Sequence, residues 1–86
     1  MKSEGNQDFW DLYWELQEDA RKLAKAKFQL WKQDTTMRGL DFKRIDDKED
    51  IWSVHIGDHY RALCVKDGDA YIWYWIGTHE EYNGLV

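Results

Sequence analysis

The sequence contains no proline. Its helices must therefore end at polar or glycine-bearing stretches, and no X–Pro isomerisation can slow its folding. A single cysteine, Cys64, excludes an internal disulfide and a cysteine-rich zinc site, and is expected in the core. Such usage fits a reducing compartment. No apolar run approaches the roughly 20 residues of a membrane span, and the opening MKSEGNQDFW lacks the apolar stretch of a secretory signal. A cytoplasmic location with no membrane partner is the expectation. Positive charge is also in short supply, 12 Lys and Arg against 17 Asp and Glu, for a net charge of −5. That balance argues against a dedicated nucleic-acid-binding domain, because phosphate contacts need local positive potential.

What is abundant is aromatic. Six Trp, five Tyr and three Phe in 86 residues imply a small aromatic core, and the chain is too short for two. A single domain over residues 1–86 is expected, with residues 1–7 polar and flexible. From Asp8 to Leu16, Phe9, Trp10, Leu12, Tyr13, Trp14 and Leu16 recur at helical spacing. Glu18 and Asp19 then place negative charge at the start of a second helix, where the helix dipole favours it. That helix should run to about Lys32, with Ala20, Leu23, Ala24, Phe28, Leu30 and Trp31 inward and Arg21, Lys22, Lys25 and Lys32 outward. After the loop QDTTMRG the period changes from 3.6 to 2. LDFKRI (40–45), IWSVHI (51–56), YRALCV (60–65) and AYIWYWIG (70–77) are strand candidates with short connections, which predicts an antiparallel meander. The fold class is thus α+β: an αα-hairpin packed on a four-stranded antiparallel sheet. Thr78 and Glu81 have capping-box spacing for a short C-terminal helical turn.

Hairpin register then brings particular side chains together. Trp52, Val54 and Ile56 alternate in one strand, and Tyr60, Ala62 and Cys64 in the next. A slip of one residue would send one set to water, so the loop must hold an odd number of residues, and Gly57-Asp58-His59 is the shortest. His55 then lies directly opposite Arg61 on the other face. Asp67-Gly68 reads as a two-residue turn; it pairs Ala62 with Trp73 and Tyr60 with Trp75 inward, and Arg61 with Tyr74 outward. With Phe42 inward, Lys43 joins the same open face, and His59 lies near its rim. Such a face is either a site or a solvated sheet surface, and the pattern alone leaves both open. No metal-ligand spacing accompanies the three histidines.

An αα-hairpin, then FKR, then WSVxIGDxYRAL, then WYWIGTHEEY resembles the RelE/ParE superfamily of toxins from type II toxin–antitoxin pairs, over about residues 9–86. The most specific parts are Trp52-Ser53 leading to Tyr60-Arg61-Ala62-Leu63, and Trp75-Ile76-Gly77 leading to His79 and Tyr82. The resemblance implies a toxin acting as a metal-independent, ribosome-dependent mRNA endoribonuclease (an mRNA interferase that blocks translation), with no cofactor. A ribose 2′-hydroxyl attacks the neighbouring phosphate and the 5′-oxygen leaves, which calls for a base, an acid and cations. By position the implied catalytic residues are Lys43, His55, Arg61, His79 and Tyr82. Implied partners are a cognate antitoxin, which the basic stripe of Arg21, Lys22, Lys25 and Lys32 could receive, and the ribosome with mRNA. The alternative is a non-catalytic binding protein, either a gyrase-directed poison as in the ParE branch or a homologue kept for antitoxin contacts, since fold does not separate these. Four features depart from the family pattern: His55 stands where relatives usually carry arginine, the loop before FKR lacks its Pro-His-Pro-Ser-like stretch, Gln17 stands where a proline usually separates the two helices, and the balance is acidic.

Overall fold

Asn6 begins the first helix because its side chain can serve a backbone donor left over at a helix start: its Oδ1 accepts the Phe9 N–H at 3.0 Å. The computed structural model describes residues 2–85. Its elements are β1 (Lys2–Gly5), α1 (Gln7–Glu15), α2 (Glu18–Gln33), β2 (Lys43–Asp46), β3 (Ile51–Ile56), β4 (Tyr60–Asp67), β5 (Ala70–Thr78) and α3 (His79–Leu85). The sheet order is β1-β5-β4-β3-β2. Strands β2 to β5 form the expected antiparallel meander, and α1 and α2 cover one face of it.

The sheet has five strands, not four. Residues expected to be flexible supply β1, which pairs parallel with β5. The KSEG stretch has no apolar pattern to announce this, because its contribution is made by the backbone. Lys2 N–H donates to Asp69 O at 3.1 Å and Asn6 N–H to Trp73 O at 2.9 Å, closing the edge of the aromatic β5. The indole of Trp10 donates to the Gly5 carbonyl at 3.1 Å. Gly5 has no room for a side chain, since a Cβ there would meet Phe9 Cδ2 at 2.7 Å.

The core lies between helices and sheet. Phe9, Ala24, Trp31, Leu40, Val54, Ile56, Ala62, Cys64, Trp73 and Ile76 are buried there. Trp31 is fully enclosed and meets Phe42, Tyr71 and Trp73 edge-on at 5.2–5.4 Å, the arrangement that ring quadrupoles favour. Burial pushes the Cys64 thiol up to about 12, so it is an inert core group. Leu23, expected inward, is 37% exposed and instead covers the turn at Gly57, where a Cβ would meet its Cδ2 at 2.8 Å.

The β3–β4 register is the one the apolar alternation requires, with Ile56 opposite Tyr60, Val54 opposite Ala62 and His55 opposite Arg61. Arg61 and Trp52 lie on opposite faces. The β4–β5 register differs from expectation in two places. The turn residues are Gly68-Asp69, with Gly68 at φ +62, so Asp67 pairs with Ala70 and Cys64 with Trp73. A bulge then leaves Tyr74 without a partner, so Leu63 faces Trp75, Ala62 faces Ile76 and Arg61 faces Gly77. Trp73 is inward as expected, but the extra residue sends Trp75 to the other face and puts Ile76 in the core. Arg61 therefore does not face Tyr74.

Candidate active site on the β3–β4 face

The Thr78 hydroxyl accepts the Glu81 N–H at 3.1 Å, and the Glu81 carboxylate accepts the Thr78 N–H at 2.9 Å. This reciprocal capping box starts α3 immediately after β5 and turns it back over the sheet. The His79 N–H also donates to the His59 carbonyl at 2.8 Å, tying α3 to the β3–β4 turn. His79 and Tyr82 are thereby delivered to Arg61.

Arg61 is the centre of the arrangement. It is only 8% exposed, its Nε–H donates to His79 Nδ1 at 3.1 Å, and its guanidinium lies 4.5 Å from the centroid of the Tyr82 ring. The His79 and Tyr82 rings are stacked at 27° with centroids 6.3 Å apart. Because His79 Nδ1 accepts, a neutral His79 carries its proton on Nε2. Arg61 Nη1 is buried with no hydrogen-bond partner. An unpaired charged donor of that kind is costly, and an anion would satisfy it.

His55 sits beside Arg61, and its backbone N–H donates to the Leu40 carbonyl at 2.7 Å. Its pKa is lowered below the usual 6.5, first by burial and then by Arg61; Asp41 opposes this, while Lys43 and His79 add to it. His55 is accordingly neutral at pH 7. Asp41 Oδ2 is 3.3 Å from His55 Nε2, close enough to attract but off the line of a hydrogen bond. The same oxygen is 3.4 Å from Lys43 Nζ. Lys43, placed by its pairing with Ser53, completes the cluster.

All five residues singled out from the sequence, Lys43, His55, Arg61, His79 and Tyr82, thus share this face. His59 contributes only its carbonyl, and Tyr74 is a bulge residue. Two neighbours were not among the residues singled out: Asp41, whose approach to His55 and Lys43 depends on a left-handed backbone (φ +44), and Ser53, whose fully buried Oγ has no partner. An Asp directly before FKR carries no signal of its own. The basic stripe on α2 is broken up. The Arg21 guanidinium folds back onto the Leu16 carbonyl and lies 5.5 Å from the Trp14 ring centroid. Lys22 pairs with Glu18 at 3.2 Å. Lys25 and Lys32 line a groove of about 370 Å³ between α1 and α2, together with Phe9, Trp10, Tyr13, Trp14 and Phe28.

The family model of the ParE-like toxin domain matches residues 18–84. The chain belongs to that family. No curated protein matches this toxin domain significantly by sequence. Among solved structures, the RelB–RelE antitoxin–toxin complex from Methanococcus jannaschii holds a chain that is 16% identical, with TM-score 0.72, covering 94% of this chain and 95% of that one. The YoeB/ParE toxin from Agrobacterium tumefaciens is 15% identical, with TM-score 0.67, covering 92% and 99%. YafQ from E. coli is 9% identical, with TM-score 0.65, covering 94% and 96%. At these identities the likeness is one of fold. The toxin domain has the RelE-like arrangement of two N-terminal helices, a mixed sheet and a short closing helix, and no helix among its described residues is long and apolar enough to cross a membrane.

Proposed function

We propose that this chain is the toxin of a toxin–antitoxin pair that cuts mRNA on the ribosome without a metal, in the cytoplasm. The observation that carries the reading is the buried Arg61 guanidinium with Nη1 unpaired, directly opposite His55 across the β3–β4 pair. A phosphodiester supplies what that pair lacks: an acceptor oxygen for Nη1, and a 2′-hydroxyl for a neutral imidazole to deprotonate. His55 takes the 2′-hydroxyl proton as the oxygen attacks phosphorus, and the 5′-oxygen leaves with a proton from the Lys43 ammonium. Arg61 holds the charge that builds on the phosphate, a contribution of about 10²- to 10³-fold per well-placed donor. His79 steadies Arg61 through Nδ1 and presents Nε2–H outward. Tyr82, itself buried, covers the guanidinium with its ring. A net charge of −5 does not prevent this, because fields are local. It does call for a ribosome that presents the mRNA.

The partner that silences the toxin is a cognate antitoxin, in line with the antitoxin–toxin complex among the structural neighbours. The groove between α1 and α2, with exposed Trp10 and Trp14 on one rim and Lys25 and Lys32 on the other, suits an acidic antitoxin segment with apolar anchors. The acidic balance favours the second reading, a non-catalytic gyrase-directed or antitoxin-binding homologue. Translation-coupled cleavage of mRNA by wild type, Arg61→Ala and His55→Ala decides between them. The enzyme reading expects cleavage by wild type and at least a hundredfold loss in Arg61→Ala. A folded wild type that never cuts hands the function to the binding reading.

A further inference from the structure

We propose that Asp41 fills the anion position of this face with the protein's own carboxylate, so that a phosphodiester binds only by displacing it; this rests on the nuclease reading above. One oxygen, Oδ2, serves both Lys43 Nζ at 3.4 Å and His55 Nε2 at 3.3 Å. Both distances are looser than a charge-assisted hydrogen bond of about 2.7–2.9 Å, so the carboxylate occupies the position without locking it. The backbone is committed to this placement. Asp41 takes φ +44, a region most residues avoid and Asp tolerates, immediately after Leu40, which is buried and whose carbonyl is held by the His55 N–H. The carboxylate is thus fastened to β3 by its neighbour.

The contact is built to yield. The side chains of Lys43 and Asp41 are 53% and 52% exposed, so solvent screens their attraction, and pairs of this kind contribute little. Arg61 Nη1, meanwhile, is left without a partner while Asp41 sits in place. The carboxylate therefore pairs loosely with Lys43, lies beside His55 Nε2 without a hydrogen bond, and leaves Arg61 unserved. A phosphodiester carries the same single charge as the carboxylate, but as a free ligand it can set one non-bridging oxygen toward Lys43 and the other toward Arg61, which the tethered Asp41 carboxylate leaves unserved. Asp41 is in this sense a specificity residue: it raises the threshold for any anion that cannot reach Arg61.

The test uses Asp41→Asn in the whole chain, because Asn has the same shape and also tolerates the left-handed region. The probes are a short single-stranded oligoribonucleotide and sodium acetate, titrated by NMR with His55 as reporter. Asp41→Asn should bind the oligoribonucleotide about two- to fivefold more tightly than wild type, the size set by one exposed carboxylate–cation contact. It should gain more for acetate, which in wild type must compete with a carboxylate like itself. The groups facing His55 are Arg61, Asp41, Lys43 and His79, and only Asp41 favours its protonation, so His55 should titrate lower in the variant. Equal oligoribonucleotide affinity in the two proteins overturns the proposal and leaves the nuclease reading standing. Weaker binding by Asp41→Asn also overturns it and makes Asp41 a positioning residue. Failure of both proteins to bind either probe, with His55 unmoved, overturns the anion site itself.

Discussion

Gly77→Ala tests whether the site depends on an absent side chain. Gly77 lies opposite Arg61, and Trp75 leans across it. A Cβ built there would sit 2.6 Å from Trp75 Cζ2, 2.9 Å from Cη2 and 3.0 Å from Glu81 Oε1. The indole must swing away, at about 0.5–1.5 kcal/mol if it leaves its rotamer well. The Glu81 carboxylate must give by a few tenths of an ångström, which loosens the capping box at up to about 1 kcal/mol. Replacing a strand glycine returns about 0.5–1 kcal/mol through the unfolded chain. The net is a destabilisation of up to about 2 kcal/mol, with Tm falling roughly 4–8 °C for each kcal/mol in a domain of this size. The damage is directed at α3, so mRNA cleavage should fall further than stability explains, as His79 and Tyr82 lose their hold on Arg61. Gly84→Ala is the control: a Cβ there meets nothing within 4 Å, and the exchange favours a helix. Urea unfolding with Gly84→Ala in parallel, followed by cleavage assays on folded protein, reads both effects. A Gly77→Ala protein as stable and active as wild type would refute the account of how α3 is held.

Three further outcomes follow from His55 and from the α2 cations. Because His55 titrates below its unfolded value of about 6.5, the unfolded chain binds more protons between those two values, so stability should fall as pH drops through that window; urea midpoints between pH 7.5 and 5 should show a slope that His55→Gln loses, and a His55 that titrates above 6.5 by NMR would contradict it. Reversing Lys25 and Lys32 to Glu should weaken the complex with the neighbouring gene's product about tenfold with no loss of fold. Arg21→Glu should instead lower the urea midpoint, because Arg21 is spent on the Leu16 carbonyl and the Trp14 ring.

The β3–β4 hairpin was legible because two constraints met there: six alternating apolar residues and a loop too short to allow a second register. The capping box was legible because two residue types at fixed spacing are sufficient to make it. In β5 the alternation fails. Trp73, Tyr74 and Trp75 are all large aromatics, so nothing in AYIWYWIG says that Tyr74 is the extra residue, and a single bulge moved Trp75 across the sheet. Strand β1 was illegible for a different reason: KSEG pairs through its backbone, which every sequence has. The five site residues came together although one of the two hairpin registers was misread, because Lys43, His55 and Arg61 depend on β2–β3–β4 alone and His79 and Tyr82 follow the cap. Asp41 was missed because a positive φ leaves no mark on residue type when the residue is Asp.

The parallel pairing of β1 with β5 also sets the order in which this molecule can be made. Lys2 finds its partner only when Ala70 exists, and Asn6 waits for Trp73. The two helices, complete by Gln33, have no finished floor until the last strand arrives, since α1 packs on β5. Such contacts between distant ends are slow to close compared with local ones. The candidate face has the same timetable, because Arg61 receives His79 and Tyr82 from the last described helix of the chain. A nascent chain therefore lacks this face through most of its synthesis and acquires it in the same event that pairs β1 with β5.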